Sequence, residues 1–258
     1  MRTQICMASV LAGLALTLAG RELSSQTAQE APMSKPTYET DTFKTSIGDL
    51  KITFVGHGTL MFQIGGKVIH IDPVSAEADY GAMPKADLIL VTHEHRDHLD
   101  PDAIAKIRKE TTAVIAPEKC AASVIGAVAM KNGDARTVAG IPIEAVPAYN
   151  ILHKRPTGQP FHPKGEGNGY VLTFGDTRVY IAGDTENIPE MAELKDITVA
   201  FLPMNLPYTM TPEMAAAAAR AIKPRILYPY HFGKTDTAAL IQLLAEDSSI
   251  ETRIRRME

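Results

Sequence analysis

The stretch 88–100 reads LILVTHEHRDHLD, and its interpretation decides the fold. Residues 88–92 are an apolar, β-branched run of strand type. Residues 93–98, which follow at once, hold three histidines, with Glu94 and Asp97 among them. A lone histidine is usually a satisfied polar residue. Three within six residues at the end of a strand form a ligand pattern instead, because a rigid strand preorganises imidazoles at little cost. His93 and His95 stand two apart, so a turn can aim both at one ion. Asp97 and His98 are adjacent and can aim at a second ion nearby. Neutral imidazole with carboxylate suits Zn(II), and also Fe, Mn or Co.

Working outward, strands are expected at 51–55 (KITFV), 67–71 (KVIHI), 113–116 and 143–147, and in a second set at 170–174, 178–182, 199–202 and 226–229. Helical spacing marks 101–110, 119–130 and 237–246. In 211–222 (TPEMAAAAARAI), Thr211 is the expected N-cap, Pro212 the first helical residue, and Glu213 favours the positive helix end. The two halves share a plan: strands first, then helix, with polar residues at strand ends. That predicts an α/β protein in which two β-sheets pack together with helices outside, a four-layer αββα sandwich.

The chain has 258 residues, 45% hydrophobic and 22% charged, the balance of a folded protein rather than a disordered one. Its net charge of −4 excludes a strongly basic nucleic-acid surface. Residues 1–31 differ from the rest. Arg2 gives a positive start, 5–19 (ICMASVLAGLALTLA) is apolar and uncharged, and 21–31 is polar. This describes a secretory signal peptide and a periplasmic or secreted mature protein; a buried helix or an uncleaved anchor is the alternative. The expected organisation is therefore signal and polar lead-in over 1–31 and one domain over 32–258, with 32–43 read as a mobile lead-in. Removal of the signal takes Cys6 with it, so Cys120 has no disulfide partner within the chain. Past the N-terminus there is no apolar run of about 20 residues, so no integral membrane association is expected after cleavage. Oligomeric state is open.

HEHRDH fits the H-x-H-x-D-H signature of the metallo-β-lactamase superfamily, and the resemblance runs from about residue 50 to 235. Other landmarks agree in order: Ile71-Asp72-Pro73, Ala182-Gly183-Asp184-Thr185 and Tyr230-His231-Phe232, each after an expected strand. GHGTLMFQIGGKVIHIDP (56–73) resembles the compact metal-dependent hydrolase branch that includes ascorbate-6-phosphate lactonase-like proteins. The resemblance implies a dinuclear site, with Zn(II) the expected metal and Fe or Mn alternatives. His93 and His95 would hold one ion, and Asp97, His98 and His231 the other. Asp184 would bridge both, and Asp72 would fix an imidazole from behind.

One departure matters. The family's third histidine normally ends the strand that here runs into Tyr149-Asn150, and Asn is a poor ligand beside imidazole. His162, within FHPKG (161–165), is the expected substitute; His153 and an incomplete first site are the alternatives. His57, in Gly-His-Gly-Thr, is read as a contact to substrate or to the ligands, or as a plain turn residue. Tyr149, Tyr208 and Met210 are read as pocket-lining or packing residues, Lys164 as a contact for an anionic substrate or a solvated side chain, and His70 as structural. Pocket shape is assigned to loops 75–85, 150–168 and 203–211.

Hydroxide held between two cations is a nucleophile at neutral pH, so the expected chemistry is metal-dependent hydrolysis of an ester, lactone, amide or phosphoester of a small-molecule substrate. Asp97 would orient the hydroxide and shuttle a proton. A serine hydrolase lacks its G-x-S-x-G motif here, and Cys120 has no histidine suggested as partner. The alternatives are an iron-dependent sulfur dioxygenase-type oxidoreductase and a non-catalytic metal-binding protein with a decayed site, for which Asn150 is the support.

Overall fold

The structure, a computed structural model, describes residues 37–257. The expected signal peptide lies outside them. The first sheet contains β1 (Glu39–Thr45), β2 (Gly48–Gly56), β3 (Thr59–Ile64), β4 (Lys67–Ile71), β5 (Leu88–Leu90), β6 (Ala113–Ala116) and β7 (Val128–Ala129), in that spatial order. The second contains β8 (Ala135–Val138), β9 (Ile141–Ala148), β10 (Gly167–Phe174), β11 (Thr177–Ile181), β12 (Val199–Pro203), β13 (Ile226–Tyr230) and β14 (Glu251–Thr252), also in sequence order across the sheet. Each sheet opens with four antiparallel strands and continues in parallel ones. The likeness of the two halves, expected from the sequence, is thus a repeat of topology.

One apolar cluster lies between the sheets and joins Phe54, Phe62 and Leu90 to Tyr170, Phe174 and Phe201. On the outer face of the second sheet, α3 (Pro212–Ile222) buries Ala215, Ala216, Ala218, Ala219 and Ile222, and α4 (Thr237–Leu243) adds Leu240. On the outer face of the first, α1 (Pro101–Ile107) buries Ala103, Ile104 and Ile107. The result is the four-layer αββα arrangement. The Thr211 hydroxyl accepts from Met214 N–H, as an N-cap should, and Lys223 closes α3 in the left-handed region at φ 57°. Among the described residues, no helix is long and apolar enough to cross a membrane.

Three expectations are corrected. The helix expected at 119–130 shrinks to α2 (Glu118–Ala121). Val124 and Ile125 are poor helix formers, Gly126 turns left-handed at φ 73°, and Val128–Ala129 joins the sheet beside β6 instead. Residues 39–43, expected to be mobile, belong to β1, which pairs along its length with β2. β3, unassigned in the sequence reading, forms a hairpin with β4 through Gly65-Gly66, both at positive φ, as a two-residue turn of that hand requires.

The strands β2, β4, β5, β9, β11 and β13 run in directions that bring their C-terminal ends to one edge. Such edges collect ligand sites in α/β proteins because the loops there are free to carry polar groups.

Candidate metal centre

Each candidate residue except His162, which lies within the segment between β9 and β10, sits just past one of those strand ends. His57 follows β2, Asp72 follows β4, and residues 91–98 follow β5. Asn150 follows β9, Asp184 follows β11, and His231 follows β13. His57, Asp72 and His231 all have left-handed backbone, at φ 49°, 46° and 46°. Non-glycine residues adopt it at a cost of about 1–3 kcal/mol each, so three at one edge mark a place where the fold holds the chain against its preference. Gly183 must be glycine: at φ 66°, an added Cβ would lie 2.9 Å from the Asn168 carbonyl oxygen. Its turn places Asp184 at the bottom of the site.

Three overlapping groups of potential ligand atoms result, each gathered within 4.8 Å: His93, His95 and His162; His57, Asp97, His98 and His231; and His93, His98 and Asp184, which links the first two. Asp184 Oδ2 lies 3.3 Å from His162 Nε2, 3.4 Å from His231 Nε2 and 3.8 Å from His93 Nε2, and its Oδ1 lies 3.5 Å from His98 Nε2. Asp97 Oδ2 is 3.5 Å from His231 Nε2 and 3.2 Å from His57 Nε2. All seven residues expected at the site from the sequence are brought together here, and His57 joins them. In the sequence, the Gly-His-Gly turn is the signal for His57, and it fits any of the three roles given above.

The hydrogen bonds behind the rings fix which nitrogen faces inward. His98 Nδ1–H donates to Asp72 Oδ2 at 2.7 Å. His93 Nδ1–H donates to the Thr92 hydroxyl at 3.0 Å, and that hydroxyl donates to the same Asp72 oxygen at 2.6 Å. One buried carboxylate therefore sets two tautomers and turns both Nε2 lone pairs towards the cluster. Gly58 leaves room for this: a Cβ there would lie 2.7 Å from His98 Cε1.

Asn150 plays the corresponding part for His162. Its Oδ1 accepts from His162 N–H at 2.8 Å and Nδ1–H at 2.7 Å, while its Nδ2 donates to Glu186 Oε1 at 3.1 Å and to the Tyr208 carbonyl at 2.9 Å. His162 Nε2 then faces His95 Nδ1 at 3.2 Å. His153 is turned away, its Nδ1 held by the Thr209 carbonyl at 2.7 Å, and it joins no ligand group among the described residues.

Residues left open between two roles are assigned by the structure, and one loop expectation is corrected. Met210 is fully buried in the second sheet's helix layer. The Tyr149 hydroxyl is tied to Glu190, and Lys164 is paired with Glu190 at 2.6 Å beside the Tyr149 ring, so neither reaches the cleft. Loop 75–85 packs Tyr80 into the first sheet's outer layer, which leaves the cleft to 150–163 and 203–211. Tyr208 does line it. His70 is structural, donating to the Pro84 carbonyl at 3.0 Å.

The electrostatics call for a cation. Burial pushes His93 well below the usual imidazole range, reinforced by the neighbouring His98. Burial would do the same to His98, but Asp184, Asp72 and Asp97 outweigh it and raise His98 to about 9. Asp184 is held well below the carboxylate range despite burial, by His231 and His98. His93 Nε2, His98 Nε2, His231 Nε2 and Asp184 Oδ1 are buried with no hydrogen-bond partner among the described residues. Unpartnered polar atoms that converge in a buried space carry a large desolvation cost, which a metal ion taking the place of the His98 proton would relieve. Imidazole nitrogen with carboxylate oxygen is the donor set of Zn(II), Fe and Mn sites, so the residues present fit metal ions.

A family model described as the beta-lactamase superfamily domain matches residues 51–231. A UPF0173 metal-dependent hydrolase from Thermococcus kodakarensis is 34% identical over 197 residues, 71% of this chain and 84% of the relative. The crystal structure of a protein from Parabacteroides distasonis, named as a metal-dependent hydrolase, superposes with a TM-score of 0.82 at 51% identity, over 86% of this chain and all of that one. A metallo hydrolase from Ignicoccus hospitalis shares the fold, with a TM-score of 0.66 at 22% identity, over 81% of this chain and 95% of that one.

Proposed function

The chain belongs to the beta-lactamase superfamily, and from that premise we propose that it is a metal-dependent hydrolase with a dinuclear centre. His93, His95 and His162 hold one ion. His98, His231 and Asp97 would hold the other, with His57 in reach, and Asp184, whose oxygens face histidines of both groups, would be shared. The observation that carries this is the set of buried, partnerless atoms at His93 Nε2, His98 Nε2, His231 Nε2 and Asp184 Oδ1. Zn(II) is the proposed metal on the donor set, with Fe and Mn also compatible.

Divalent cations bound there supply an activated water at neutral pH and a Lewis acid for a carbonyl or phosphoryl oxygen. The chain's residues do the rest. Asp97 is half exposed at the mouth of the site, where its carboxylate can take a proton from water and pass it to the leaving group. Asp72 and Asn150 hold the imidazoles in one tautomer, so no reorganisation is needed during the reaction. Above them opens a cleft of about 400 Å³, bordered by Phe161 and Tyr208, a size that suits a small-molecule ester, lactone, amide or phosphoester. A decayed site had Asn150 as its support. Asn150 as the acceptor for His162 removes that ground.

The same reading keeps residues 1–31 as an export signal and places the mature protein in the periplasm or outside the cell. N-terminal sequencing of protein recovered from the native host tests that part; an intact Met1 end in the cytosolic fraction overturns it.

The hydrolase reading is tested by metal analysis of the purified mature protein, followed by a panel of the four bond types. His162→Ala is expected to lower bound metal per chain, and His153→Ala to leave it unchanged. Equal metal content in both variants refutes the ligand assignment. Two metals per chain with no turnover of any bond type counts against hydrolysis.

A further inference from the structure

We propose that Arg155 is an oxyanion anchor, and that the substrates of this site carry a carboxylate or phosphate group beside the bond that is cleaved. The inference rests on the hydrolase reading above and names its substrate class. Arg155 lies in the segment between β9 and β10, where its backbone is closed into a tight loop: Arg155 N–H donates to the Gln159 carbonyl at 2.7 Å, and Gly158 N–H returns to the Arg155 carbonyl at 2.8 Å. The base of the segment is anchored by the Glu186 carboxylate, which accepts from the backbone N–H groups of Ile151, Leu152 and His153. The guanidinium stands over the Phe161 ring at 5.3 Å, and Phe161 packs edge-on against Tyr208 at 5.0 Å. Aromatic stacking of this kind holds a planar cation in place without neutralising it.

The cation lines the cleft and lacks a counter-ion among the described residues. Its Nη2 lies 3.2 Å from His95 Nε2 and makes a long contact of 3.4 Å to the Phe161 carbonyl. No carboxylate among the described residues pairs with it, whereas the two nearby lysines are taken: Lys119 by Glu94 and Glu166, and Lys164 by Glu190. Arg96, the other guanidinium on this cleft, is also without an acidic partner among the described residues. A guanidinium has five donors in a fixed fork, and most of this one are free.

His95 sharpens the point. When its Nδ1 lone pair faces His162 and the cluster, its Nε2 carries the proton. His95 Nε2–H and Arg155 Nη2–H are then two donors facing each other at 3.2 Å, and neither can satisfy the other. A negatively charged oxygen on the cleft side, within hydrogen-bond reach of both nitrogens, accepts from both once the two donors turn towards it. The fork matches carboxylate or phosphate in two-pronged fashion, and charge-assisted bonds of this type are the strong ones. Arg155 stands one imidazole ring away from the ligand groups, so the anion it holds belongs to the same small substrate molecule.

The test uses the metal-loaded protein and has two arms. In the first, glutarate and inorganic phosphate are titrated into wild type and Arg155→Met by calorimetry, with metal content measured on both. The expected result is binding at least tenfold weaker in the variant, with metal content equal. Whichever probe loses more affinity identifies the anion. Equal affinity in both proteins means the anions sit on the metals alone and overturns the proposal. In the second arm, kcat/KM is compared for a neutral nitrophenyl butyrate and a nitrophenyl hemiglutarate that differs by its terminal carboxylate. The preference for the anionic ester is expected to fall at least tenfold in Arg155→Met; an unchanged preference overturns the proposal while leaving the hydrolase reading intact. If the loaded protein hydrolyses nothing, the hydrolase reading fails, and the calorimetric arm still decides whether Arg155 binds anions.

Discussion

Replacing Asn150 separates an orienting role from mere packing. The side chain is 4% exposed and makes four hydrogen bonds: two from His162, one to Glu186 and one to the Tyr208 carbonyl. Alanine would leave all four partners unsatisfied in a buried place. At about 1 kcal/mol per net bond, and more where a charged group is stranded, the loss is about 4 kcal/mol. In a domain of this size 1 kcal/mol shifts Tm by about 2–4 °C, so Asn150→Ala is expected to melt about 10 °C lower. Release of the His162 ring should also weaken metal binding by about 10- to 100-fold. Asn150→Asp keeps the acceptor for both His162 donors but sets a carboxylate against Glu186, whose own carboxyl is held ionised despite burial by the backbone N–H groups of Leu152, His153 and Ile151. It should lose stability through that repulsion, yet hold metal within about threefold of wild type, since the imidazole remains oriented. The assays are thermal melts of the metal-free proteins and competition with a chromophoric chelator. Wild-type metal affinity in Asn150→Ala would refute the argument, as would equal losses of affinity in the alanine and aspartate variants.

Three further outcomes are expected. Gly58→Ala places a methyl 2.7 Å from His98 Cε1, so it should cost metal affinity by about tenfold while the metal-free protein melts within a few degrees of wild type; unchanged affinity would show that His98 has slack. His70 is lowered by burial to about 4, so below pH 6.5 the unfolded chain takes up a proton that the folded one refuses, and this contribution to stability, complete above pH 6.5, is lost as pH falls towards 4. The metal-free protein should therefore lose about 3 kcal/mol over that range through His70 alone, and His70→Gln, which keeps a donor for Pro84, should flatten the urea-denaturation profile; parallel profiles would exclude His70 as the cause. Chelation should lower Tm, because the ions bind the folded chain alone, and adding Zn(II) back should restore it; a Tm indifferent to chelator would remove the basis for metal binding.

Much of the fold was legible because its signals are local. The β-branched runs at β4, β5 and β13 and the Thr211-Pro212 start of α3 declare themselves within a few residues. The errors arose where a distant partner outweighed local preference. Val128–Ala129 left a helical-looking stretch to pair with β6, and residues 39–43 gained order from β2. Met210 and Tyr149, open between pocket and packing by position, are settled by the core around Met210 and by Glu190 beside the Tyr149 hydroxyl.

The amino-acid order by itself determined the layered α/β plan and the ligand-bearing turn after β5, since both depend on spacings of six residues or fewer. Only the folded chain decided that His162 rather than His153 meets His93 and His95, that His57 joins His98 and His231, and that Arg155 stands over the cleft with no counter-ion among the described residues. Those outcomes turn on which buried polar atom finds a partner. Asn150 and Asp72 satisfy the back of each ring from positions 12 and 26 residues away, and a hydrogen bond across such separations exists only once the sheets have packed.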